Sequence, residues 1–225
     1  MTDNEKVNLI DSLENIDNLT DKHFKTLLKY VSDKDAFVRS RCAYMLGEFV
    51  TAGFRKEESF ELLIHLCSDE DAFVRTEAYD SLSLCPDKRS ETLLYKSVLN
   101  DPDELARSYA VLAWCDVVCC LHEKYDNDIK FLLDTLGKEK SEMCRLDCWY
   151  GLYRFGYEKA LPQVLDFLKS KDYCRRCAVL NLLSDTMKAE DKDIIMSAVG
   201  ELLITEKTIA VRSDAEKIRA LIAGM

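Results

Sequence analysis

One short block of sequence keeps returning along this chain, and a recurring unit fixes architecture before any single residue is interpreted. DKDAFVRSRCAYMLGEF at 33–49 comes back as DEDAFVRTEAYDSLSLC at 69–85, then as DPDELARSYAVLAWCDV at 101–117. Weaker copies are KSEMCRLDCWYGLYRFG at 140–156, KDYCRRCAVLNLLSD at 171–185 and TIAVRSDAEKIRALI at 208–222. Aligned on arginine, the copies put Arg39, Arg75, Arg107, Arg145, Arg175 and Arg212 in one column. Three residues later stand Cys42, Ala78, Ala110, Cys148, Ala178 and Ala215, all small; immediately before it stand Val38, Val74, Ala106, Cys144, Cys174 and Val211, all apolar. Positions four apart share one helical face, so this pair of columns predicts a small apolar seam packed against neighbouring helices.

Four residues before the arginine, Asp35, Asp71, Asp103, Ser141 and Thr208 carry oxygens that cap free amides at a helix start. In the fifth copy Lys171 takes that place and Asp172 is the better cap. Between these helices run further apolar-periodic stretches at 19–31, 59–67, 92–99, 128–136, 160–168 and 194–204. Each repeat therefore reads as helix, short turn, helix. Only three prolines and seven glycines interrupt the chain, which favours helices throughout. An amphipathic segment at 7–16 is the expected N-terminal capping helix. At the other end Arg219 stands where earlier copies carry Leu46, Leu82, Trp114, Leu152 and Leu182, as the polar outer face of a closing repeat should. The expectation is one all-α, right-handed α-solenoid of about six helix pairs, forming a single domain over 1–225.

The D-x-D-x-x-V-R element that opens the second helix resembles the HEAT family, particularly the short bacterial HEAT-like repeats also found in phycobilin lyases. The resemblance implies that acid and arginine stabilise packing between repeats, here Asp33 with Arg39, Asp69 with Arg75 and Asp101 with Arg107; Glu139 and Lys169 replace the acid in later copies. Tetratricopeptide and ankyrin units have similar lengths, but neither W-x-x-L-G nor T-P-L-H occurs.

Charge and chemistry narrow the function. Forty-one acidic against thirty-one basic side chains give a net charge of −10, which opposes phosphate backbones and anionic lipid and favours a basic protein partner. The longest apolar stretch, 111–121, contains Asp116 and is shorter than the roughly 20 residues of a membrane span. Ten cysteines without an apolar leader fit a reducing cytoplasm. Cys115 and Cys119, Cys144 and Cys148, and Cys174 and Cys177 invite a metal test, but they lie within helices and several fill the small seam, so reduced, metal-free thiols are expected.

Two HEAT-like enzymes offer comparisons. Deoxyhypusine hydroxylases build a di-iron site from several His-Glu dipeptides, whereas this chain has only His122-Glu123. Alkylpurine DNA glycosylases use aromatic residues and an aspartate on a basic face; Trp114, Asp116 and Trp149 invite the comparison, but Trp114 and Trp149 lie in packing columns and the chain is acidic. The reading is a non-enzymatic protein-binding scaffold or adaptor without cofactor, an inhibitor or immunity-type protein being its special case. The alternative is an enzyme or nucleic-acid-acting protein of glycosylase-like or phycobilin lyase-like type. Positions one, five, eight and nine after the arginine are expected to face outward. In the middle repeats these place Leu112, Asp116, Leu146, Tyr150, Arg154 and Leu180, with Tyr109 beside them, as the partner-binding surface.

Overall fold

The motif's acidic residues start the second helices as the spacing predicts. A computed structural model describes residues 1–14, 16 and 18–224. Asp35 accepts from the Val38 amide at 3.1 Å before α3 (Ala36–Thr51), and Asp71 from the Phe73 amide at 2.8 Å before α5 (Ala72–Ser83). Asp103 accepts from Leu105 and Ala106, both at 3.0 Å, before α7 (Glu104–Leu121), and Asp172 accepts from Cys174 at 2.9 Å before α11 (Tyr173–Thr186). Where the cap is weaker, the preceding acid substitutes. Glu139 takes the amides of Lys140 and Ser141 ahead of α9 (Glu142–Arg154), and Glu206 those of Lys207 and Thr208 ahead of α13 (Ile209–Gly224).

The first helices fall on the periodic stretches: α2 (Asp21–Tyr30), α4 (Lys56–Leu66), α6 (Lys88–Asn100), α8 (Asp126–Leu136), α10 (Ala160–Asp166) and α12 (Lys192–Thr205). Short 3₁₀ turns, Phe167–Lys169 and Ala189–Asp191, follow α10 and precede α12. The first helix, α1 (Asp3–Asp11), begins four residues earlier than the stretch at 7–16, because Thr2 and Glu5 form a reciprocal capping box. Position 15 of that stretch lies outside the described residues. Among the described residues there are thirteen α-helices and no strand, so the fold is all-α.

The chain divides into two compact units, 1–125 and 126–225. In the first, α2 packs with α3, α4 with α5 and α6 with α7; the second helices α3, α5 and α7 stand in a row, with α1 against α3. In the second, α8 and α10 pack on α9, α12 packs on α13, and α9, α11 and α13 form the row. The predicted seam is core in the first unit: Val38, Val74, Ala106, Cys42, Ala78 and Ala110 are all fully buried. Adjacent second helices approach closely through small residues. A Cβ on Gly47 would lie 2.9 Å from the Ser81 Cβ, while the Ser81 hydroxyl donates to the Ala43 carbonyl at 3.1 Å.

The arginine column works differently from the within-repeat pairing that the resemblance implies. Each arginine donates to the backbone carbonyl six residues before it: Arg39 to Asp33, Arg75 to Asp69, Arg107 to Asp101, Arg145 to Glu139, Arg176 to Ser170 and Arg212 to Glu206, at 2.7 to 3.3 Å. This bond ties the turn between the two helices of one repeat. The carboxylate contact goes onward to the next repeat. Arg39 grips Asp69 through two 2.7 Å bonds and Arg75 grips Asp101 through two more, the paired geometry that suits a guanidinium. Tyr79 adds its hydroxyl to Asp101 at 2.9 Å. Burial alone would push the Asp101 carboxyl up; the bonds from Arg75, the Asp103 amide and Tyr79 outweigh it and hold it below the usual range.

The same rule corrects the register of the fifth copy. Arg176, not Arg175, makes the carbonyl bond and reaches Glu206 at 2.6 Å, so every position there moves on by one and Ser170 takes the place assigned to Lys169. The Glu206 carboxyl is drawn down to about 2, chiefly by its bond from Arg176.

Candidate partner-binding face

In a row of helices each member is covered by its partner helix and by a neighbour on either flank, so only a narrow stripe remains open. In the first unit that stripe lies at positions two before and two, five and nine after the arginine. It holds Phe37, Arg41, Tyr44 and Glu48 on α3; Phe73, Glu77 and Asp80 on α5, with Leu84 at its C-cap; and Leu105, Tyr109, Leu112 and Asp116 on α7. None of these residues is buried. Wound at 3.6 residues per turn, they cluster at roughly 140° to 200° from the arginine. The expected outward positions one and eight fall instead at about 80° to 100°, on the flank that meets the next helix. Ser40, Thr76 and Ser108 are accordingly buried, as is Gly47 against Ser81.

The sequence-predicted residues separate on this geometry. Tyr109, Leu112 and Asp116 lie half-buried on the α7 stripe of the first unit. In the second unit Tyr150 and Arg154 share the α9 stripe, the guanidinium 5.7 Å from the ring centroid, but Tyr150 is only 5% exposed. Leu146 is buried because it holds the flanking position. Leu180 is fully buried because the fifth register starts from Arg176, which puts it four residues on, in the core, and gives the outward place to exposed Asn181. The residues that the sequence pattern does not single out are Phe37, Phe73 and Leu105, together with Arg41 and Glu77. The legible signal was a large apolar residue two before the arginine, on the side opposite the seam.

Within the stripe, Phe37 and Phe73 remain 51% and 47% exposed and stack on each other, ring centroids 6.2 Å apart. The remaining face is acidic. Arg41, its one cation, donates to Asp11 at 2.7 Å and lies 4.5 Å from the Tyr44 ring centroid, while the Tyr44 hydroxyl donates to Glu14 at 2.9 Å. Burial pushes the Glu77 carboxyl up, and Asp80 adds to the shift against the pull of Arg41. Asp80, solvent-accessible yet set between neighbouring helices, is likewise raised by desolvation and then by Asp116.

The opposite side of the first unit carries a cleft of about 850 Å³ walled by α4 and α6 and floored by Arg75, Tyr79 and Asp101, the groups already engaged in the clasp between repeats. Arg89 at its rim is held by Glu57, Glu61 and Asp87. Among the described residues no group of three or more histidine, cysteine or acidic side chains is arranged to hold a metal ion. The buried thiols are raised by desolvation, Cys42 to about 12 and Cys85 to about 11, far from the range of reactive thiolates. Cys120 and Cys174 are exposed and Cys177 is half-buried. No helix among the described residues is long and apolar enough to cross a membrane.

Residues 25–114 match the family model of HEAT repeats. This segment carries HEAT repeats. The matched HEAT segment runs from α2 into α7, inside the unit with the two carboxylate clasps. Among solved structures, the CpcE–CpcF complex of phycocyanin lyase from Nostoc sp. PCC7120 aligns over 94% of this chain and 96% of that chain, with 14% identity and a TM-score of 0.50. At that identity the likeness concerns the HEAT fold alone. An archaeal HEAT-like repeats protein from Thermococcus onnurineus NA1 aligns over 100% and 98% of the two chains, with 17% identity and a TM-score of 0.46. An engineered protein aligns over 92% and 98%, with 16% identity and a TM-score of 0.45. No curated protein sequence matches the chain.

Proposed function

We propose that this protein is a non-enzymatic protein-binding scaffold or adaptor, and that its second helices hold the partner. HEAT repeats commonly mediate protein binding. The observation that carries the reading here is the first unit's open stripe. Seven of its twelve positions are apolar or aromatic (Phe37, Tyr44, Phe73, Leu84, Leu105, Tyr109 and Leu112), and all remain accessible. A contiguous apolar and aromatic surface edged by charge is what the centre of an interface requires. An inhibitor or immunity-type role is the special case in which the held partner is silenced.

Site-specific photo-crosslinking in the source cell tests the proposal. A photoreactive side chain at positions 44, 80 or 112 should give a discrete protein adduct, whereas one at exposed Tyr95 or Leu99 on α6 should not. Adducts arising equally from both sets, or from α6 alone, would overturn the assignment.

A further inference from the structure

Building on the protein-binding reading, we infer that the second-helix face of the first unit docks a cationic, apolar-anchored segment of its partner, with an apolar side chain on the Phe37–Phe73 stack and Lys or Arg side chains against Glu77 and Asp80. The stacked rings offer an exposed apolar platform on neighbouring helices. The carboxylates next to them decide what kind of chain can cover it. Glu77 and Asp80 make no hydrogen bond or ion pair among the described residues, and Arg41, the cation that acts on Glu77, is committed to Asp11. Covering this face with an apolar or acidic chain would desolvate both carboxylates without compensation, which is costly. A guanidinium or ammonium supplies the missing partner and relieves the repulsion between Asp80 and Asp116. Phosphate-bearing chains meet the same carboxylates as like charges and are turned away.

Spacing adds a second condition. Along α5, Glu77 lies about 6 Å and Asp80 about 10 Å beyond Phe73 at 1.5 Å per residue. An extended chain at about 3.3 Å per residue spans these distances with a cation two or three residues from its apolar anchor.

The test uses the full chain and a fluorescein-labelled dodecapeptide built from Leu-Ser-Arg-Arg blocks. Its controls are the same peptide with Glu for Arg, the same peptide with Ser for Leu, and a single-stranded DNA dodecamer. Anisotropy should show binding of the first peptide alone, weakened by added salt. The double variant Glu77→Gln, Asp80→Asn should lose about tenfold or more in affinity, and Phe73→Ser several-fold, while the melting temperature of the double variant holds or rises because two strained carboxylates are neutralised. Failure of the cationic peptide to bind, equal binding of the Glu peptide or the DNA, or unchanged affinity in the double variant would overturn the inference. If crosslinks from positions 44, 80 and 112 nevertheless appear, the protein-binding reading stands and only the chemistry assigned to its partner falls.

Discussion

The two units solve the same fastening problem with different completeness. In the first, Arg39 and Arg75 each bind the turn of their own repeat and also grip a carboxylate of the next, Asp69 or Asp101, with paired 2.7 Å bonds. In the second, the carbonyl bond survives at Arg145, Arg176 and Arg212, but the position equivalent to Asp101 is Ser170, and the carboxylate clasp is made by Arg176 with Glu206. The turn-binding half of the arginine's work is therefore the invariant one, and the onward clasp is added where the sequence supplies an acid.

The largest expected effect is at the buried clasp. Asp101→Ala leaves the Arg75 guanidinium and the Tyr79 hydroxyl without their acceptor in a site where the Asp101 side chain is 2% exposed. It should cost about 3–5 kcal/mol in urea unfolding, whereas Ser170→Ala, at the same place in the second unit, should cost under about 0.5 kcal/mol. Equal losses would erase the distinction between the units.

The corrected register comes next. Leu180→Ala should destabilise by about 2–4 kcal/mol, since a fully buried leucine is truncated, and Asn181→Ala by under about 0.5 kcal/mol. The reverse order would restore Arg175 to the column.

The smallest effect concerns acid. The Glu206 carboxyl is depressed from its usual 4.5 to about 2, so its contribution is fully present above 4.5 and is lost as pH falls through 2. Glu206→Gln should flatten the stability profile between these limits by about 1 kcal/mol, allowing for solvent screening. A profile identical to that of the parent would show that the second unit gains nothing from its clasp.

Much of this was legible because local chemistry repeats. Asp35, Asp71 and Asp103 announce helix starts through their own side chains, and small residues three beyond the arginine announce close packing. The onward grip of Arg39 on Asp69 was not legible, because the motif contains an acid at the same offset in its own repeat and only tertiary geometry decides which one is reached. The fifth copy was misread by one because two arginines adjoin and either one fits the column. The open face was misplaced for a related reason: helical periodicity gives angles around one axis, but which flank is covered depends on the neighbours, and Gly47 against Ser81 shows where they stand.

Asp33 occupies the place of Asp69 and Asp101, yet the cation it receives is Lys6 of α1, whose Nζ lies 2.8 and 3.0 Å from its two oxygens. An ammonium is a point charge without the planar fork of a guanidinium, so this join resists misalignment least. Under mechanical load applied at the amino end, the first unit should thus yield in a set order. The Lys6–Asp33 join gives way before Arg39–Asp69, and Arg75–Asp101 holds longest, so a pulled chain peels from α1 inward, with the breaking force rising at each step.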